Sequence, residues 1–211
     1  MFNEIQLLKN FPTMTDWNKR YQKGDTPWEK GAPAPPLLEL LGKLGTKIFG
    51  SGPVLVPGCG TGHDVRALAS TGLKVQGIDS AEAAISRAQS FPLTAQETYH
   101  LADFLDPKWR AGKSFSAIWE HTCYCAIHPS KRPDYAAACA GLIPPGGHLI
   151  GVFFLTPHGK SLENIGPPFA ASITELDARF APWFQRISAW VPESAYPGRE
   201  GQEWLAVYKR N

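Results

Sequence analysis

The run Val54-Leu55-Val56-Pro57-Gly58-Cys59-Gly60-Thr61-Gly62-His63-Asp64 decides how the rest of the chain is read. Three apolar β-formers lead into three alternating glycines and then into a segment of helical composition. This is the grammar of a buried strand, a tight turn and a helix start. Glycine suits such a turn because the backbone takes positive φ there and a ligand approaches with no Cβ in the way. The free amides of the helix start then face that ligand. The spacing is not that of the dinucleotide fingerprint, so the loop announces a nucleotide-like ligand without naming it, and a plain turn has the same look.

Working outward, the chain alternates strand and helix. Strands are expected at Val54 to Val56, Leu73 to Ile78, Tyr99 to Ala102, Phe115 to Trp119 and His148 to Leu155. Helices are expected at His63 to Ser70, Ala81 to Gln89 and Pro133 to Ala140. A helix from Ser172 to Phe180 then precedes strands near Trp183 to Val191 and Glu203 to Tyr208. Such alternation implies an α/β fold, a parallel sheet with helices on both faces and ligand groups at the carboxyl ends of the strands. Asp79, Asp103 and Glu120 all fall at such ends. No internal repeat and no second domain are visible, so residues 1–211 read as one domain.

Composition narrows the function. With 43% hydrophobic and 19% charged residues the chain is an ordinary globular protein. Its formal charge of +2, with Lys131-Arg132 and Lys209-Arg210 as isolated pairs, gives no basic stripe and argues against nucleic acid. The start, Met1 to Gln6, lacks a secretory pattern, and Leu149 to Leu155 is too short to span a bilayer, so a cytoplasmic location with no membrane contact is expected. Cys59, Cys123, Cys125 and Cys139 are scattered, which favours free thiols in a reducing compartment. His121-Thr122-Cys123-Tyr124-Cys125 has no second Cys pair to complete a zinc site, so no metal is expected. No Gly-x-Ser-x-Gly elbow supports a serine hydrolase.

Four places carry candidate chemistry. Asp79 lies about twenty residues past the loop, where an acid meets ribose hydroxyls. The alternative is that it caps the next helix, a task Ser80 would equally fill. Asp103-Phe104 offers an acceptor for an exocyclic amine beside a flat apolar face, as adenine requires; a polar turn next to a core ring is the alternative. Residues 1–36 form an unusual opening, in which a helix starting at Thr15 or Asp16 puts Trp17 and Tyr21 on one face. Thr26-Pro27-Trp28 and Gly31 to Pro36 are then expected to run as an irregular arm. That arm is either a Pro-rich linker with core aromatics or a lid whose rings close over a ligand. A helix follows from Leu37 to Leu44.

Four motifs together resemble one family. They are Trp17…Tyr21…Gly24…Thr26-Pro27-Trp28…Gly31, then Val56 to Gly62, then Cys125-Ala126-Ile127…Pro129…Arg132…Tyr135, and Gly166-Pro167-Pro168-Phe169. In this order they resemble the thiopurine methyltransferase superfamily, which includes thiol, thiocyanate and halide methyltransferases. The resemblance implies a class I, Rossmann-like methyltransferase with a seven-stranded sheet whose last strand is antiparallel, using S-adenosyl-L-methionine and leaving S-adenosyl-L-homocysteine. It implies that Trp17, Tyr21 and Trp28 close over the cofactor and that Gly58 and Gly60 lie against its methionine part. Asp79 and Ser80 would hold the ribose, Asp103 and Phe104 would flank the adenine, and Glu120 and His121 would sit near the sulfonium. Aromatic faces suit a sulfonium, since ring quadrupoles attract a cation that has no hydrogen to donate.

One departure bears on the acceptor. Thiopurine methyltransferases commonly carry an arginine where this chain has His121, and the segment from His121 to Ile127 resembles the thiol and halide group more closely. The expected reaction is in-line displacement by a small soft nucleophile such as a thiol, sulfide, thiocyanate or halide, with His121 or Tyr124 tuning the acceptor's proton and Arg132 drawing in an anion. A thiopurine or aromatic thiol is the alternative acceptor, and a dinucleotide oxidoreductase or a non-catalytic cofactor-binding protein the alternative class. Monomer and small homo-oligomer stay equally open.

Overall fold

The computed structural model describes residues 15–157 and 166–211. The first fourteen residues of the expected arm, with the Met1 to Gln6 start, lie outside the described residues. Helix α1 (Trp17–Lys23) begins where its sequence says it should, with the Asp16 carboxylate accepting the Lys19 amide at 2.9 Å. Helix α2 (Pro35–Leu44) starts two residues earlier than the composition suggests. Pro35 and Pro36 open this helix instead of ending the arm, because the first turn has no use for their missing N–H groups and their fixed φ is already helical.

The sheet follows from strands β1 (Val54–Pro57), β2 (Val75–Asp79), β3 (Glu97–Leu101), β4 (Ala117–His121), β5 (His148–Phe154), β6 (Phe184–Trp190) and β7 (Glu203–Arg210). Their order is β3-β2-β1-β4-β5-β7-β6, parallel except for β7, which runs against both β5 and β6. Every residue of β1 and nearly every residue of β5 is buried, as central strands covered on both faces require. The second, third and fourth strands differ from expectation by two residues at their starts: β2 begins at Val75, β3 begins at Glu97, and Phe115 precedes β4. Helices α3 (His63–Ala69), α4 (Glu82–Ser90), α5 (Pro107–Arg110), α6 (Arg132–Leu142) and α7 (Ile173–Phe180) complete the fold. The four-residue α5 has no counterpart in the sequence reading; Asp106 caps it and Pro107 opens it.

Two apolar layers sandwich the sheet. One, with Tyr124, Tyr135, Leu142, Leu176 and Phe180, lies under α6 and α7. The other, with Leu37, Leu40, Val65, Leu68 and Trp119, lies under α2 and α3. Strand order reverses between β1 and β4, so the crevice at their carboxyl ends is where an open α/β sheet receives a ligand.

Candidate active site

The glycine loop sits at that crevice. Gly58, Gly60 and Gly62 all have positive φ, at 58°, 54° and 82°. A Cβ at Gly60 would stand 2.8 Å from the Tyr21 hydroxyl, and one at Gly58 would stand 3.1 Å from Cys123 Sγ. The bare loop therefore lets the arm close on one side and the chain after β4 on the other.

Asp79 ends β2 with its carboxylate 8% exposed. One oxygen accepts the Gly60 amide at 3.0 Å and the other the Ala81 amide at 2.8 Å. Burial pushes this carboxyl up, against the pull of the Ala81, Gly60 and Ser80 amides. Three amides leave the carboxylate about one of its roughly four lone-pair sites, enough for one ribose hydroxyl. The contact of Asp79 with the Ala81 amide lies just before α4, as the capping reading expects, and its contact with the Gly60 amide places it at the loop. Asp103 and Phe104 are not presented as one open face. Asp103 is exposed, with Oδ1 accepting the Leu105 amide at 2.8 Å, whereas the Phe104 ring is buried against Tyr135 at a centroid distance of 4.9 Å.

The arm is docked. Tyr21 is buried against Ala81 and Ala84, and its hydroxyl accepts the Trp28 indole N–H at 2.9 Å. Trp17 and Trp28 meet edge to face at 5.3 Å, with the Arg20 guanidinium 4.3 Å from the Trp28 ring centre. Glu29 bolts this arm to the loop through the Thr61 hydroxyl and His63 Nε2 at 3.0 Å, and the Gly31 amide within the arm donates to it at 2.9 Å. Burial works against its charge, but the His63, Thr61 and Gly31 partners hold its carboxyl down to about 2.

At the end of β4 the chain turns sharply, and Thr122 takes a φ of +62°, a conformation rare for a β-branched residue. The turn sends the Cys123 and Tyr124 amides back onto the Glu120 carboxylate at 3.0 and 2.7 Å. Its other oxygen accepts the Tyr135 hydroxyl. Burial pushes the Glu120 carboxyl up despite these donors. Glu120 thus binds the β4 turn to α6, and its side chain is 1% exposed at the residue level.

His121 stands beside it. Nδ1 is 2.9 Å from Asp64 Oδ2, the ring stacks on Tyr196 at 6.1 Å, and Nε2 is buried with no hydrogen-bond partner among the described residues. Tyr124 and Arg132 are placed differently. The Tyr124 ring packs with Tyr135, Phe153 and Phe180, and its hydroxyl donates to Glu175 at 3.0 Å. Arg132 is 1% exposed; Nη1 reaches Glu175 and the Ala170 carbonyl at 3.0 Å, and Nη2 reaches the Phe169 carbonyl at 3.1 Å. The guanidinium that the sequence suggested for drawing in an anion is therefore turned inward, tying α6 to α7 and to the Gly166-to-Phe169 turn.

Of the groups described above, sequence reasoning missed Asp64, Glu29, Glu175 and Tyr196. Asp64 and Glu175 read as ordinary first-turn acids of α3 and α7, and no local signal pairs them with residues about forty to sixty positions away.

The thiopurine S-methyltransferase family model matches residues 13–204. The chain belongs to that family. A probable thiol methyltransferase 2 of Arabidopsis thaliana is 33% identical over 92% of this chain and 84% of its own length. Thiocyanate methyltransferase 1 of Brassica oleracea is 32% identical over the same shares. Among solved structures, a 1,6-didemethyltoxoflavin-N1-methyltransferase of Burkholderia thailandensis, with S-adenosylhomocysteine bound, has a TM-score of 0.70 at 19% identity, covering 93% of this chain and 86% of that one. That likeness is one of fold. The protein is accordingly an S-adenosylmethionine-dependent methyltransferase acting on a small nucleophile, and the seven-stranded class I architecture is that of its family. Among the described residues no helix is long and apolar enough to cross a membrane, and no cluster of three or more His, Cys, Asp or Glu side chains is placed to hold a metal.

Proposed function

We propose that this methyltransferase acts on a small soft nucleophile: a thiol, sulfide, thiocyanate or halide. The observation that carries the reading is the contrast between His121 and Arg132. At the end of β4, His121 Nε2 is buried with no hydrogen-bond partner among the described residues, whereas the charge of Arg132 is paired with Glu175, with only its Nε left without a partner. The names of the plant relatives support the same acceptor class. A single domain over 1–211 and a cytoplasmic location remain part of this proposal.

In this reading Gly58, Gly60, Asp79, Ser80 and the Trp17–Trp28 arm hold S-adenosyl-L-methionine, which supplies an electrophilic methyl group on a sulfonium. Asp103 reaches for the adenine amine, and Phe104 shapes the floor beneath it from within the core. The docked arm excludes water, so the acceptor meets the methyl carbon unsolvated. His121 Nε2 is the group that takes a proton from an acceptor arriving as a thiol. Glu120, Tyr124 and Arg132 position the β4 turn without touching the acceptor. The test is a methyl-transfer assay on sulfide, an alkyl thiol, thiocyanate, iodide, an aromatic thiol and a thiopurine. Turnover of the first four above the last two is expected; preference for the thiopurine overturns the acceptor class.

A further inference from the structure

Asp64 is a buried side chain near the crevice with three polar partners. Oδ1 accepts the Ala34 amide of the arm at 2.7 Å, and Oδ2 accepts the Trp119 indole N–H at 2.8 Å and faces His121 Nδ1 at 2.9 Å. The Ala34 and Trp119 contacts each present a hydrogen to the carboxylate, which an ionised acid satisfies because it is acceptor only. Burial opposes the charge, yet His121, Trp119 and Ala34 together keep the Asp64 carboxyl below its ordinary value. An ionised Asp64 leaves Nδ1 of a neutral His121 one option, to carry the proton. Nε2 then holds a lone pair that is buried and has no hydrogen-bond partner among the described residues.

We infer that Asp64 is the positioning residue that makes His121 a base, and that the enzyme thereby handles acceptors that arrive protonated as well as those that arrive as ions. The inference rests on the acceptor class proposed above. With a thiol, the S–H bond breaks with its electron pair left on sulfur and its proton going to His121 Nε2. The acceptor sulfur forms its bond to the methyl carbon as the methyl–sulfonium bond breaks, the pair of that bond staying on the departing sulfur. The imidazolium, balanced by Asp64, returns its proton to solvent. Thiocyanate and iodide carry no proton and need none of this. Tyr196 stacks on the ring from the segment before β7, and its hydroxyl donates to the Ala32 carbonyl, so the arm that supplies the Ala34 amide also braces the far side of the imidazole. The titratable groups facing His121 are thus Asp64 from α3, Glu120 from β4 itself and Tyr196, with the Arg199 guanidinium beyond Tyr196 at 5.6 Å.

Two measurements test this. In the unliganded protein labelled with ¹⁵N-histidine, and with the His121 signal assigned by its loss in His121→Asn, the wild type should show Nδ1 protonated and Nε2 bare near pH 8. A proton on Nε2 overturns the inference. The second is kcat/KM against pH for a small alkyl thiol and for thiocyanate. A thiol of pKa about 8.5 is about 30-fold more abundant than its thiolate at pH 7. Asp64→Asn should therefore lose about 30-fold with the thiol at pH 7, at least tenfold more than with thiocyanate, and the gap should close as pH approaches 9. Equal losses on both acceptors at every pH overturn the base role. His121→Asn, which leaves the Ala34 and Trp119 bonds of Asp64 in place, should reproduce the same split if Asp64→Asn does not fold. If the wild type methylates no acceptor, the acceptor proposal fails while the imidazole signal still decides this inference.

Discussion

The two halves of the crevice are built by different means. The half made by β1, β2 and the arm faces the crevice with bare glycines and amides beside the Asp79 carboxylate, and the arm's Tyr21, Trp28 and Glu29 dock onto it. The half made by β4, α6 and α7 uses side-chain pairs that span the chain, Glu120 with Tyr135, and Arg132 with Glu175 and Tyr124. In the proposal above, this backbone cradle is the side that would hold the cofactor. Side-chain networks stand on the other side, the one proposed to meet the acceptor.

Removing a network partner should give the largest effect. Glu175→Ala leaves the Arg132 charge buried and unpaired, and should cost about 2–3 kcal/mol in denaturant unfolding, below the roughly 3–5 of a fully enclosed pair because Glu175 is 28% exposed. S-adenosylhomocysteine affinity should stay within about twofold of wild type; a parallel loss would show that the halves are not separate. Next, if Asp79 holds the ribose as proposed, Asp79→Asn should weaken that charge-assisted bonding, and tryptophan fluorescence should report about 10- to 100-fold weaker S-adenosylhomocysteine binding. Little change there would break the assignment of the backbone half to the cofactor.

Gly60→Ala should cost about 1–2 kcal/mol for its left-handed backbone and push the Tyr21 hydroxyl away, loosening S-adenosylhomocysteine by about tenfold. The smallest effect is expected at Glu29. Its folded pKa lies below its ordinary 4.5, so its contribution is complete above that value and is lost as pH falls toward about 2. Trp28 emission should therefore change across that window in the wild type. Glu29→Gln should abolish the acid step and cost about 1 kcal/mol at neutral pH; an unchanged acid step would place the titrating group elsewhere.

The same division explains what the sequence disclosed. Strand–helix alternation, the glycine loop and Asp79 are local signals, since each arises from period, backbone conformation or a fixed spacing along the chain. The docking of Trp17, Tyr21 and Trp28 was legible as an aromatic arm, though not the prolines that open α2, which look like breakers unless the helix start is known. Arg132 illustrates the limit. A basic residue beside a candidate site reads as an anion trap until Glu175, 43 positions later, is seen to claim it. Asp64 was hidden in the same way, a helix-start acid in sequence and a junction of arm, strand and imidazole in space.

The placement of β7 also governs how the chain can assemble. Strand β6 leaves the ribosome before β7, yet it borders the sheet through β7 alone, which lies between it and β5. A nascent chain that has released Phe184 to Trp190 must hold that segment unpaired, with the β5 edge bare, until Glu203 to Arg210 arrive. Joining β5 to β7 closes a gap of about fifty residues, a slow event by the standards of local pairing. During that interval the open β5 edge is the place where a chaperone, or another unfinished copy, would find the molecule vulnerable.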